Sequence, residues 1–243
     1  MSPRRVAAPR FPAERGGSVD HAAFAGLLEA SSDGWTVDYA LVRASAEFRD
    51  YVAALATIDP DTLGRSEQLA YWINAYNANA MALAAEPEID SILEIPGVFT
   101  DLRLEVGGAR LTLDEIEHAK ARRFGDLRVH LALNCASVGC PPLRVYHPAR
   151  LDADLDENAR CYLGDEARGA RAEGDRLMLA MVFRWFAGDF APVGQMPSLL
   201  GGVLGALFPR RVIPAAGPYL PAHLQRLRKV GFIKWDWRLN ARP

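Results

Sequence analysis

Pro87 separates two hydrophobic periods, and a chain that carries both must build helices and strands in one fold. Before it, Leu69, Trp72, Ile73, Tyr76 and Leu83 recur at about 100° per residue and share one helical face, with Ala70, Asn74, Asn77 and Met81 on another side. Ser66 has the chemistry of the cap that opens this helix, and Glu67 suits the positive end of its dipole. After the proline, residues 102–106 alternate with a period of two, Gly107-Gly108 supplies a two-residue turn, and residues 109–111 return as the partner strand. The expected class is therefore α+β.

The remaining segments fit that class. Phe24, Leu27 and Leu28 predict one helix, and Leu41, Phe48, Tyr51, Val52 and Leu55 a second that stops before Ile58-Asp59-Pro60. Thr112 caps a helix over residues 113–124, and residues 128–134 read as a buried strand that ends in Asn134-Cys135. A further helix covers 151–163, and a Gly- and Pro-rich stretch from Ala191 to Pro221 encloses an apolar piece over 199–208. Residues 1–18 carry no hydrophobic period and predict a flexible arm. Residues 19–243 then form a single domain, a helical front layer packed on a small antiparallel sheet.

Composition narrows the function. A formal net charge of −2 and a pI near 6.2 leave no basic footprint, so nucleic acid is not an expected partner. Three cysteines are too few, and odd in number, for a disulfide scaffold. The N-terminus lacks the apolar core of a secretory signal, and no stretch reaches the roughly 18 apolar residues of a membrane span. A cytoplasmic protein without a membrane segment is expected. With no phosphate loop or dinucleotide fingerprint, the expected ligand is a small-molecule or peptide-like substrate, with no cofactor and no metal.

Reactive chemistry concentrates around Cys135. It sits at the expected end of a buried strand, beside a turn whose Ala136, Ser137 and Val138 N–H groups are placed to converge on an oxyanion. Strand alternation puts His130 on the opposite face from Cys135 and favours His118 as the base, with Asp114 or Glu115 one turn away to fix its tautomer. Asn74 or Asn77 then orients the imidazole or polarises a substrate carbonyl, and Glu117 supports the site. The expected reaction is acyl transfer or hydrolysis at an amide or thioester, with Cys135, His118, Asn74 and Glu117 catalytic.

Five segments in order, YWINAYNA at 71–78, LDEIEH at 113–118, VHLALNCASVGCPPL at 129–143, VFRWFAGDF at 182–190 and WDWRLN at 235–240, resemble the signature blocks of domain of unknown function 547. The resemblance runs from about Phe24 to the C-terminus. It implies functional positions at Asn74, Glu117, His118, His130, Cys135, Ser137, Cys140, Trp185 and Asp189, and it names no reaction. Val138-Gly139 departs from the polar residue usual there, and the loop at Tyr146-His147-Pro148 is this chain's own. In residue types, though not in chain order, the set also resembles thiol hydrolases and transglutaminase-like proteins.

Other readings of the same residues stand beside this one. His118, His130, Cys135 and Cys140 include the ligand types of a zinc site, though not its usual spacing. Cys135 and Cys140 can close a redox disulfide across the turn. The cluster can equally be structural, in a binding or scaffold module, with Asn74 and Asn77 pinning a loop. Cys161 reads as a buried helix residue, His147 and His223 as surface, and Trp185, Phe186, Phe190, Trp235 and Trp237 as core. Asp189 and Asp236 beside these rings are candidates for hydrogen bonds to backbone or indole N–H groups.

Overall fold

A computed structural model describes residues 17–86, 89–190, 207 and 209–242. The expected arm up to residue 16, the helix-ending Pro87 and most of the apolar piece at 199–208 lie outside them. The fold is α+β, with two small sheets among the described residues. The described residues of Arg10–Leu155 and Asp236–Pro243 form one compact unit, and those of Asp156–Trp235 another. No helix among the described residues is long and apolar enough to cross a membrane.

The first unit is organised around α4, Arg65–Ala84. Helices α1 (Ala22–Ser31), α2 (Tyr39–Ala44) and α3 (Ala46–Leu55) precede it, and α1 packs on both α2 and α3. Phe24, Phe48 and Tyr51 stack with ring centroids 5.6 to 6.3 Å apart, which gives this layer an aromatic core. The expected single helix over 41–55 is broken at Ser45, whose hydroxyl accepts from Phe48 N–H at 3.1 Å and caps α3. Helix α4 starts one residue before the expected cap, with Gly64 as N-cap and Ser66 buried in the first turn. Nor is α4 amphipathic. Elements pack on it from several sides, so Asn74 and Asn77 lie fully buried rather than beside an apolar stripe.

The hairpin forms as expected, β1 (Leu104–Val106) pairing antiparallel with β2 (Ala109–Leu111), Val106 opposite Ala109. Thr112 does cap the next segment: Glu115 N–H donates to its Oγ1 at 3.1 Å while Thr112 N–H donates to Glu115 Oε2 at 2.9 Å, a capping box. Instead of a regular helix, however, the chain winds into a π-helix over Glu115–Lys120 and a 3-10 helix over Ala121–Phe124. Single π turns inside helices recur at functional sites.

The expected strand at 128–134 is not a strand. Leu127–Leu131 is a 3-10 helix, capped by Asp126, which accepts from Arg128 N–H at 2.9 Å and also pairs with the Arg128 guanidinium at 2.6 Å. A short continuous apolar run is buried in either geometry, so periodicity does not separate them. Here a local carboxylate turns the chain.

The second unit holds part of α5 (Leu151–Gly164) and a three-stranded sheet. Strands β3 (Ala170–Glu173) and β4 (Arg176–Leu179) pair antiparallel through a turn containing Gly174. β5 (Lys229–Phe232) joins β4 in parallel, so this sheet is mixed rather than purely antiparallel. A Cβ at Gly169 would meet Tyr162 O at 1.7 Å, so only glycine lets the chain leave α5 there. Phe183 and Phe190 pack at 4.5 Å and are buried, whereas Trp185 and Trp235, paired at 4.9 Å, are only half-buried. Cys161, expected in the core, faces solvent on α5.

Candidate functional site

The loop between Asn134 and Pro141 is closed by the first of these residues. Asn134 Nδ2 donates to Pro141 O at 2.8 Å, and its Oδ1 accepts from Ala136 N–H at 2.8 Å. The tight path forces Ala136 to a φ of 64°, the one positive-φ non-glycine among the described residues. Such a conformation costs an L-residue about 1 kcal/mol and clusters at functional sites.

That kink points donors at the sulfur of Cys140. Cys135 N–H donates to Cys140 Sγ at 3.1 Å, and the Ser137 hydroxyl and the Cys135 sulfur each lie 3.2 Å from it. The backbone N–H of Ser137 adds a further bond, so the two amides flanking Ala136 form a nest for negative charge. Burial pushes the Cys140 thiol up, but these bonds outweigh it and its net shift is downward. Cys135 moves the opposite way. Its hydrogen bond to Cys140 and its burial hold the thiol well above the ordinary range, against the Ser137 hydroxyl, and the Glu117 charge adds to the rise. The contacts thus favour charge on Cys140 over Cys135.

The loop's other amides are engaged. Val138 N–H donates to Arg238 O at 2.8 Å, Gly139 N–H to Asp236 O at 3.0 Å, and Asn240 N–H returns to Ala136 O at 3.0 Å. A C-terminal strap therefore runs antiparallel to the loop, with Ser137 opposite Leu239. The expected convergence of Ala136, Ser137 and Val138 N–H groups on an oxyanion is replaced by bonds to Asn134, Cys140 and Arg238 respectively.

The π-helix brings the carboxylate. Glu117 acts electrostatically on Cys135, and its Oε1 lies 3.7 Å from Nδ1 of the buried His130. With no strand at 128–134, the face argument against His130 no longer applies. Of the carboxylates expected to orient His118, Glu115 is taken by Thr112 and Arg103. Asp114 remains within electrostatic reach of His118, its carboxyl raised first by burial, then lowered by His118 and raised by Glu117. Two buried phenols that sequence reasoning missed complete the surroundings. Tyr39 donates to Asn240 Oδ1 at 2.6 Å, and burial and then the cysteine charges push both Tyr39 and Tyr76 up, with Glu117 also acting on Tyr76. Asn240 lies in the quoted block WDWRLN, but nothing in the spacing ties that block to the cysteines.

Asn74 and Asn77 clamp backbone. Asn74 Nδ2 donates to Tyr146 O at 2.8 Å while Tyr146 N–H donates to Asn74 Oδ1 at 2.9 Å. Asn77 bonds Ala132 O at 3.0 Å and Asn134 N–H at 2.8 Å, so it fixes the entrance to the cysteine loop. Trp185 and Asp189 belong to the unit of residues 156–235, not to the unit of the cysteines. Among the described residues no three or more His, Cys, Asp or Glu side chains are grouped to hold a metal ion, so the donor set of the zinc reading is not assembled. His147 and His223 are exposed, as expected.

Residues 60–163 match the family model described as "Protein of unknown function, DUF547". The chain resembles that family. The matched residues include the amide clamps, Glu117, His118, His130 and the whole cysteine loop, but neither Trp185, Asp189 nor the C-terminal strap. No curated protein and no solved structure matches the chain.

Proposed function

We propose that this protein is a thiol-dependent enzyme in which Cys135 and Cys140 work as a dithiol, exchanging with a disulfide in a small-molecule or peptide-like substrate. The observation that carries the proposal is the convergence on Cys140 Sγ of the Cys135 N–H, which donates at 3.1 Å, and of the Ser137 hydroxyl and the Cys135 sulfur, each 3.2 Å away. A thiolate is the attacking species in exchange, and a second thiol in contact with it can resolve the mixed disulfide. Cys140 thiolate attacks one sulfur of the substrate disulfide and releases the other as a thiolate. Cys135 then passes its proton to Glu117 and attacks Cys140 Sγ, forming the Cys135–Cys140 disulfide and releasing the second substrate thiolate. Two electrons pass from the dithiol to the substrate. A reducing cytoplasm would regenerate the dithiol.

Acyl transfer or hydrolysis at an amide or thioester is the second reading. What favours it is Glu117, which lies 3.7 Å from His130 Nδ1 and also acts electrostatically on Cys135. Against it, the loop amides that would stabilise an oxyanion are already engaged.

Mass spectrometry of each cysteine tests both readings. Across glutathione buffers of graded potential, a reversible Cys135–Cys140 disulfide is expected, and iodoacetamide should label Cys140 below the pH of an ordinary thiol, about 8.5. If neither occurs, the dithiol reading fails and the cluster is structural. An acyl adduct on Cys135 from activated thioesters, lost in His130→Ala, would instead establish the second reading.

A further inference from the structure

A cleft of about 280 Å³ opens between the N-terminal end of α4 and the turn after the π-helix, and it gathers Arg65, Lys120 and Arg123 around a single acid, Asp61. Composition does not account for this. Residues 10–155 and 236–243 hold 15 Lys and Arg against 23 Asp and Glu, so cations are the scarcer charge in this unit.

Two of the cations are held in place by rings. The Lys120 ammonium lies over the Trp72 indole, 5.2 Å from its centroid, and the Arg65 guanidinium lies 5.1 Å from the Phe124 ring while donating to Phe124 O at 2.9 Å. The indole is itself fixed: it is buried, and Gly107, at a φ of 63°, leaves room where a Cβ would stand 2.9 Å from Trp72 Cη2. Gln68 turns its Nε2 to Pro60 O at 2.8 Å and weakly to Asp61 at 3.4 Å. Side chains anchored this way lose little freedom on binding, and an arginine fork matches two oxygens of one oxyanion.

We propose that this cleft is a binding site for the phosphate group of a small phosphorylated ligand. Lys120 and Arg123, with Arg65 beside them, outnumber Asp61 on the lining, and a dianionic group matches that lining better than a single carboxylate does. The volume leaves space for more than a bare phosphate. The site is separate from the dithiol proposal and stands or falls without it.

Calorimetric titration of the full chain with pyrophosphate and with inorganic phosphate, at ionic strength matched by NaCl, tests the site. Saturable binding is expected, tighter for pyrophosphate. Lys120→Met, which keeps an apolar stem on Trp72, and Arg123→Gln should each weaken it roughly tenfold. Asp61→Asn should tighten it several-fold, and it keeps the test open should Lys120→Met fail to fold. Arg210→Gln, a cation of the other unit, should change nothing. Binding that does not saturate, that falls equally in Arg210→Gln, or that an acidic peptide matches at equal affinity would overturn the proposal.

Discussion

The amide pair of α4 and the sulfur pair of the cysteine loop are both buried in the first unit, yet they use burial differently. Asn74 and Asn77 each meet a backbone N–H and a backbone C=O, so every bond they make is to groups that must be satisfied anyway. Cys135 and Cys140 meet each other, and the donors around them favour one charged sulfur over the other. The amides hold the path of the chain, whereas the contacts between the sulfurs bear on their protonation.

The largest effects expected are those that break this distinction at the scaffold end. Asn74→Leu orphans the N–H and C=O of Tyr146 in a fully buried setting, and a loss of about 4 kcal/mol is expected in urea unfolding. In the folded fraction, Cys140 should label at an unchanged rate. A fall in that rate at constant fold would make Asn74 part of the site, as the residue pattern predicts.

Next in size is a pH effect at His21, a buried group serving neither pair. Burial, then the charge of His147, lowers its pKa from 6.5 to about 4, with Asp20 acting in the opposite direction, while Nδ1 shares a 2.7 Å hydrogen bond with Tyr51 Oη. Above pH 6.5 both folded and unfolded chains hold it neutral. As pH falls from 6.5 to 4 only the unfolded chain takes up the proton, so stability should drop by about 3 kcal/mol over that window. His21→Gln should remove this part of the pH slope while other acid-sensitive groups remain.

The sulfur pair itself should show the reverse balance, a small stability effect with a large reactivity effect. Cys135→Ala removes a donor to Cys140, and the alkylation midpoint of Cys140 should rise by on the order of one pH unit. A folded pKa below the unfolded one means that Cys140 contributes stability above the ordinary thiol range, lost as pH falls through its folded value. An unmoved midpoint in Cys135→Ala would show that the backbone nest alone holds the charge.

The smallest effect concerns the kink between the two sulfurs. Ala136→Gly relieves the left-handed conformation and should stabilise the protein by about 0.5 kcal/mol or slightly more, whereas Ala136→Val should destabilise it by more than that. Thermal unfolding distinguishes the two signs. If Ala136→Gly stabilises but slows Cys140 labelling, the strained turn is what keeps the nest formed.

Much of this is legible in residue patterns. The Gly107-Gly108 hairpin, the Thr112 cap with Glu115 three residues on, and the concentration of reactive groups between Asn134 and Cys140 all arise from short-range chemistry. Two of the failures share one cause. Period is the sequence signal for residues 128–134 and for the faces of α4, and a fully buried segment has no solvent side to set a period. The position of His130 beside Glu117 is hidden for the same reason, because it depends on the strand that does not form.

By itself, then, the sequence determined the α+β class, the hairpin register and the identity of the cysteine loop, because these depend on neighbours within a few residues. What surrounds the two sulfurs was decided only by the tertiary structure. A left-handed Ala136 and Asn77 of α4 shape the approach to the loop, the strap at Asp236 and Arg238 occupies its outer amides, and a π turn carries Glu117 to Cys135. The strap lies about a hundred residues from the loop along the chain, and no local pattern encodes a contact of that span.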